Sequence, residues 1–216
     1  MSEHAGSGMC GWPHAHAICR IADVEQPTTT ITTNAIVRAS FAVGDVIVVT
    51  GPPGAGKSTV AERLAELLDP SALVAGDDFF AFLRNGAIPP WLESAHQQNT
   101  AVVEAAAAAT GRLAGQCNVV YDGVVGPWFL RTFLEVAGLK QLHYVMLLPS
   151  LDVCLERVRN RQGHGFTDLD AAGHMWHDFH RVEIDPRHVI DDQGRQPVEI
   201  ARAIAEHVNE KTTSYP

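Results

Sequence analysis

The feature that most limits how this chain can fold is a glycine-rich segment between a predicted strand and a predicted helix. Residues 51–58 read GPPGAGKS and fill every fixed position of the pattern G-x-x-x-x-G-K-[ST]. The apolar run of residues 45–50 precedes the segment, and an amphipathic helical pattern over residues 57–68 follows it. Strand, glycine loop and helix in this order favour a loop that binds phosphate groups, and an ordinary turn is the weaker alternative.

Each position of this loop has a physical role. Its glycines allow backbone conformations that a Cβ forbids, so that successive N–H groups can turn inward around an anion. The helix beginning near Lys57 adds unpaired N–H groups and the positive end of its dipole. Lys57 is predicted to reach the β- and γ-phosphates, and the Ser58 hydroxyl to bind Mg²⁺. The predicted nucleotide-binding residues are Gly51, Pro52, Pro53, Gly54, Ala55, Gly56, Lys57, Ser58 and Thr59.

The overall composition argues against two classes of partner. The chain has 216 residues, 16 of them basic and 25 acidic, for a formal net charge of −9. Surfaces that bind nucleic acid or anionic membranes are built from clustered Lys and Arg, so we expect neither partner. No apolar stretch is long enough to span a bilayer, no signal peptide is evident, and the four cysteines follow no disulfide spacing. These features predict a cytoplasmic protein.

The first forty residues differ from the rest of the chain. Residues 1–29 mix Gly, His, Pro, Ser and Thr without periodicity, which predicts a partly disordered extension, and residues 30–39 are a possible edge strand. We therefore expect an N-terminal extension over residues 1–40 and one α/β domain over residues 41–216. The extension holds four potential metal ligands, but their spacing matches no common zinc site: Cys10, His14, His16 and Cys19.

From residue 44 onward, apolar β-rich runs alternate with helical patterns, as expected for a parallel sheet covered by helices on both faces. The predicted strands are 45–50, 72–76, 118–121, 142–148 and 187–190. The predicted helices are 57–68, 77–84, 92–110, 127–137, 150–161, 168–182 and 197–208. In such sheets ligands bind beyond the carboxyl ends of the strands, so acidic residues at those ends are candidates for chemistry.

Two acidic positions meet this condition. Asp122 ends the apolar run of residues 119–121 and is predicted to bind Mg²⁺ together with Ser58, its alternative role being to begin a turn. Asp77 and Asp78 follow the second strand, where one can accept the proton of a substrate hydroxyl and the other can cap the next helix. We predict Asp77 as the base and Asp78 as a substrate-binding residue, with the reverse assignment left open.

Positive charge is concentrated at the end of the helix predicted over residues 150–161. Arg157 and Arg161 are spaced to share a helical face, and the glycine-containing segment 162–167 follows them. This predicts a lid whose guanidinium groups act on the transferring phosphate, the alternative being a solvated helix end. Trp91 is predicted either to line the acceptor pocket or to pack in the core. The histidine row at 174, 177 and 180 is a weaker candidate for metal, because no Cys lies nearby.

Taken together, the glycine loop, the Gly76-Asp77-Asp78 turn, Asp122, the Arg157 and Arg161 lid and the last strand and helix resemble the P-loop small-molecule kinases. The resemblance is to the branch with chloramphenicol phosphotransferase, gluconate-kinase-like and zeta-toxin-like kinases, and it covers about residues 44–208. It implies a P-loop NTPase of the nucleoside-kinase type, a three-layer α/β sandwich with a five-stranded parallel sheet and a helical lid. It further implies Mg²⁺-ATP as the donor, Asp77 as the base, and the adenine ring near the lid helix and residues 191–196.

The implied activity is transfer of the γ-phosphate of ATP to a hydroxyl of a small molecule, such as a metabolite, a sugar or an antibiotic. The acceptor region, residues 79–99, matches none of the named subfamilies, so the substrate stays open. Two alternatives also stay open. A nucleotide-dependent switch or adaptor ATPase could use the same loop and act through a partner, and a zeta-toxin-like kinase could act on a nucleotide sugar.

Overall fold

The computed structural model describes residues 44–161, 166–192 and 194–216. The possible edge strand at residues 30–39, the four potential metal ligands at 10–19 and part of the predicted lid, residues 162–165, lie outside the described residues. The strands are β1 (Val46–Thr50), β2 (Ser71–Ala75), β3 (Asn118–Asp122), β4 (Leu142–Leu147), β5 (Val189–Ile190) and β6 (Ser214–Tyr215). The helices are α1 (Lys57–Leu67), α2 (Gly76–Phe80), α3 (His96–Ala114), α4 (Pro127–Ala137), α5 (Leu151–Asn160), α6 (Leu169–Arg181) and α7 (Pro197–Asn209).

Five parallel strands form the sheet in the order β2-β3-β1-β4-β5, which confirms the predicted five-stranded parallel sheet. The strand β1 lies at the centre, where Val48 is level with Tyr121 of β3 and with Tyr144 of β4. All five residues of β1 are buried, as expected for a strand covered on both faces. The order brings the carboxyl ends of β1, β2 and β3 to one edge, where the predicted site residues lie.

Helices cover both faces of the sheet, which makes the three predicted layers. Val46 and Val48 point to one face and pack with buried residues of α3 and α4. Ile47 and Val49 point to the other face and pack with buried residues of α1 and α7. Among the described residues, no helix combines the length and the apolar character that a bilayer span requires.

Several predicted boundaries are wrong for identifiable reasons. The second helix was expected to extend to residue 84, but α2 ends at Phe80 and the residues after it are exposed. The third helix, predicted over residues 92–110, begins at His96 and continues past Gly111 to Ala114. A Cβ on Gly111 would come within 2.0 Å of the carbonyl oxygen of Ala137, so glycine here allows α3 and α4 to pack closely.

The end of the chain contains a strand that the sequence did not predict. The strand β6 has two residues and pairs with β4 in antiparallel orientation, Leu142 lying opposite Tyr215. Such a short pairing leaves no periodicity in the sequence. The strand predicted over residues 187–190 is shorter than expected, because residues 186–188 form a 3-10 turn before β5.

Candidate active site

The glycine loop connects the end of β1 to the start of α1 and is packed against other backbone. Gly51 has a φ of 142° and Gly54 a φ of 82°. A Cβ on Gly51 would lie 2.2 Å from the carbonyl oxygen of Leu147, and one on Gly54 would lie 2.2 Å from that of Cys154. Both the φ values and the close approach of β4 and α5 therefore require glycine. The loop has the shape of a backbone cradle for an anion.

Lys57 is the first residue of α1 and its side chain is buried beneath the loop. Its Nζ donates a hydrogen bond to the carbonyl oxygen of Pro52 at 3.2 Å. Burial lowers the pKa of Lys57, and the negative charges of Asp77 and Asp122 act in the opposite direction. The N-cap residue, Gly56, offers the first N–H groups of α1 no side-chain acceptor. This end of the helix, with one buried ammonium group, fits a polyphosphate.

Asp122 is the last residue of β3 and lies next to Val49 of β1. Its Oδ1 atom is buried and has no hydrogen-bond partner in the protein. Burial raises the pKa of Asp122, while a side-chain hydrogen bond with Ser58 and the charge of Lys57 lower it. A buried carboxylate oxygen without a partner, beside a serine hydroxyl, is the donor set that suits Mg²⁺ or one of its bound waters. The residues present therefore fit the metal.

The two adjacent acids lie in the first turn of α2. The prediction that one of them caps this helix is wrong, because the helix begins earlier, its N-cap is Ala75, and no side chain caps it. Asp77 is exposed and lines a large cavity that also contains Lys57, whereas Asp78 does not line it. A Cβ on Gly76 would overlap the Tyr121 hydroxyl, so glycine lets the start of α2 lie close to β3.

Two cavities meet at the loop. The larger has a volume of about 960 Å³ and the smaller about 640 Å³. Lys57 and Asp77 line the larger cavity, together with Trp91, which is half-buried and packs edge-to-face on Phe166 with ring centroids 5.2 Å apart. Gly54, Gly56 and Thr59 line the smaller cavity. Arg161 lines both.

The two predicted arginines occupy different positions. Arg161 follows the end of α5 in an extended conformation, so the prediction that it shares a helical face with Arg157 is wrong. Arg157 forms an ion pair with Asp192 and donates a hydrogen bond to the carbonyl oxygen of Gly54 at 3.4 Å. Asp192 and Arg195, from the loop predicted to lie near adenine, line the smaller cavity with Arg157. Arg157 therefore belongs to the smaller cavity, and Arg161 lies between the two.

Sequence reasoning missed the part of the wall of the larger cavity that lies outside the predicted acceptor region, residues 79–99. That part includes Trp128 and Phe129 on α4 and Met175 on α6. One signal in the sequence was the pair of large aromatic residues Trp128 and Phe129 in the first turn of a predicted helix. Among the described residues, no group of three or more His, Cys, Asp or Glu side chains is placed to hold a metal ion, so the histidines at 174, 177 and 180 do not form such a group, and His180 stacks on Trp176.

The fold and the loop agree with the comparisons to known proteins. Residues 46–183 match the family model described as an AAA domain, a family of P-loop kinases. The chain belongs to this family. The match places the chain in a P-loop kinase family, which implies nucleotide binding and confirms the predicted resemblance.

Individual relatives are distant. The tunicamycin resistance protein of Deinococcus radiodurans is 22% identical, with a TM-score of 0.60, over 76% of this chain and 95% of that one. A gluconokinase from Sinorhizobium meliloti 1021 is 23% identical, with a TM-score of 0.57, over 79% and 94%. The cytidylate kinase of Sulfurisphaera tokodaii is 23% identical over 178 residues, 76% of this chain and 95% of that one. The two structural matches indicate the shared fold alone.

Proposed function

We propose that this protein transfers the γ-phosphate of ATP to a hydroxyl group of a small molecule. The observation that carries the proposal is that Lys57 and Asp77 line one cavity at the open end of the phosphate-binding loop. The Lys57 ammonium group suits the phosphate that is transferred, and the Asp77 carboxylate suits the alcohol that receives it. Family membership supports the donor half of this proposal.

The donor would be held by the segment Gly51–Thr59, whose amides face the phosphates, and by the Lys57 ammonium group. Ser58 and Asp122 would hold Mg²⁺, which when bound neutralises charge on the β- and γ-phosphates. The nucleoside would extend into the smaller cavity, past Arg157 and Asp192. The ion pair and the hydrogen bond to the Gly54 carbonyl keep the Arg157 guanidinium in place at the loop.

The acceptor would enter the larger cavity with its hydroxyl next to Asp77. The Asp77 carboxylate takes the hydroxyl proton as the oxygen forms a bond to the γ-phosphorus and the bond between that phosphorus and the leaving ADP oxygen breaks. Arg161 lines both cavities, so its guanidinium could stabilise the negative charge on the phosphoryl group during transfer. The phosphorylated alcohol and ADP are the products.

The neighbouring acid provides a matched control for the role of Asp77. We expect Asp77→Asn to reduce phosphoryl transfer by at least about 10²-fold while leaving ATP binding largely intact, and Asp78→Asn to retain most of the activity. The measurement is incubation with γ-labelled ATP and a pooled library of hydroxylated metabolites, sugars and antibiotics, followed by identification of the labelled product. Calorimetry with Mg²⁺-ATP checks the binding of donor.

Three results would contradict the proposal. Strong residual turnover in Asp77→Asn, with loss in Asp78→Asn, would move the base to Asp78. Label found only in free phosphate would favour the switch or adaptor ATPase. Growth arrest on expression, relieved by Asp77→Asn and accompanied by a labelled nucleotide sugar, would replace the metabolite acceptor with the target of a zeta-toxin-like kinase.

A further inference from the structure

We infer that the acceptor is an alcohol with a bulky apolar body and no negative charge. The inference rests on the proposed function and narrows it, because it names the class of molecule that fits the larger cavity. Two independent features of the cavity carry it: the aromatic side chains that form its wall, and the distribution of charged groups around it.

The wall is assembled from elements that are distant in the sequence. The aromatic members are Phe80 of α2, Trp91 before α3, Trp128 and Phe129 of α4, and Phe166 before α6. The volume of about 960 Å³ exceeds what a single sugar ring needs. Trp128 remains 48% exposed although it lies on the cavity, and an apolar ligand would remove that surface from water. A polyol would instead require many hydrogen-bonding partners that such rings cannot supply.

The charges favour a neutral acceptor. Three carboxylates line the cavity: Asp77, Glu93 and Asp178. Of the described residues that line it, the Lys and Arg side chains are Lys57 and Arg161, and both lie at the loop, where the donor phosphates would engage them. Arg84, in the exposed segment after α2, does not line the cavity.

A carboxylate or phosphate on the acceptor would therefore find the cationic groups already occupied and would face Glu93 and Asp178. Like charges at a few ångströms repel even when water screens them. Two histidines also line the cavity: His96, which stacks on Phe129, and His174. Because His174 Nε2 lies 3.7 Å from Asp178 Oδ2, a charge on His174 would at most cancel that of Asp178, and the charges of Asp77 and Glu93 would remain. The cavity consequently selects against anionic acceptors by repulsion as well as by the absence of a partner.

The test uses two probes that share one body. The first is a biphenylmethanol with a carboxamide on its distal ring, and the second carries a carboxylate at that position. With saturating Mg²⁺-ATP we expect kcat/KM for the carboxamide to exceed that for the carboxylate by at least about tenfold. Gluconate, an anionic polyol, should be a poorer acceptor than either. Calorimetry with a non-hydrolysable ATP analogue present gives the binding of each probe independently of turnover.

Charge reversal at the cavity should remove the discrimination. In the double variant Glu93→Lys with Asp178→Lys, we expect the preference for the carboxamide to fall about tenfold. Glu183→Lys is the matched control, because Glu183 is exposed, lies just after α6 and lines neither cavity, so the preference should persist. Retained binding of Mg²⁺-ATP establishes that each variant is folded.

The inference is overturned if the carboxylate equals or exceeds the carboxamide, if gluconate is preferred to both, or if neither biphenyl alcohol binds at millimolar concentration while ATP does. It is also overturned if the double variant keeps the wild-type preference. The proposed function fails separately, when no alcohol in the metabolite pool acquires label. A labelled anionic metabolite with unlabelled biphenyl probes would therefore reject the inference and leave the kinase intact.

Discussion

The two cavities that meet at Arg161 are built in different ways. The smaller one joins the glycine loop and the start of α1 to residues of α5, of α7 and of the loop after β5, and it contains the ion pair between Arg157 and Asp192. The larger one is formed by side chains from helices α2, α3, α4 and α6. Main-chain contacts with phosphate demand particular backbone angles, whereas an apolar wall demands only volume and shape. In the proposed kinase, recognition of the donor phosphates therefore depends on one short segment, and recognition of the acceptor depends on side chains from several helices.

This difference predicts that the proposed donor side tolerates little change. Gly51 and Gly54 each lie against a carbonyl oxygen of another element, so any side chain there would displace β4 or α5. A residue such as Trp91 can change size while its neighbours adjust.

The largest effect is expected at Lys57, which lies beneath the donor loop and also lines the acceptor cavity. Lys57→Met should reduce phosphoryl transfer on the order of 10³-fold, because the ammonium that neutralises the phosphates is lost. Burial lowers the pKa of Lys57, so the charged form costs stability in the nucleotide-free protein. We therefore expect an unchanged or higher Tm without ATP, measured by circular dichroism. A marked fall in Tm would show that Lys57 mainly stabilises the fold.

The next effect separates the two arginines. Arg161→Ala should reduce kcat by about 10²-fold, because Arg161 lines both cavities and the proposed transfer would carry the phosphate from one to the other. Arg157→Ala should raise the KM for ATP about tenfold with a smaller change in kcat, because its partners Asp192 and Gly54 belong to the donor side. Steady-state kinetics with varied ATP distinguish the two. Equal changes in kcat for both variants would contradict the assignment of Arg161 to phosphoryl transfer and Arg157 to donor binding.

Glycine substitution tests the rigidity of the donor side. Gly54→Ala should lower the free energy of unfolding by roughly 3 kcal/mol and impair ATP binding. The new Cβ would overlap the Cys154 carbonyl, and the positive φ at this position is unfavourable for alanine. Gly138→Ala is the control: its φ is 68°, but nothing lies within 4 Å of the new Cβ. It should cost only about 1 kcal/mol and leave ATP binding unchanged. Urea unfolding measures both, and equal costs would contradict the packing argument.

The smallest effect concerns Asp122. Burial raises its pKa on folding, so the ionised carboxylate lowers stability once the pH exceeds the unfolded pKa. At neutral pH we expect Asp122→Asn to raise the Tm of the nucleotide-free protein by roughly 2 °C. The difference should vanish at acid pH, where the wild-type carboxyl is protonated in both states. Mg²⁺-ATP should stabilise the variant less than wild type, and equal stabilisation would argue against Asp122 as a metal ligand.

Sequence patterns predicted most of the sheet and its helices because those signals are local. The bounds of α4 were predicted without error, and local residues mark both ends: a proline stands at its first position and a glycine just after its last. The second helix was predicted too long because the pattern of residues 81–84 is helical, yet no element covers those side chains, and Phe82 is 72% exposed. A helical pattern without packing is too weak to hold a short segment in helix.

The sequence alone determined the identity of the donor loop, because glycine, lysine and serine at one spacing satisfy the backbone geometry around phosphate within eight contiguous residues. Tertiary structure alone decided that Asp77 rather than Asp78 faces the cavity, that Arg161 lies between the cavities while Arg157 pairs with Asp192, and which helices surround the acceptor. The reason is physical. Local backbone geometry follows from neighbours in the chain, whereas the direction of a side chain into a cavity follows from the packing of elements that the chain brings together only on folding.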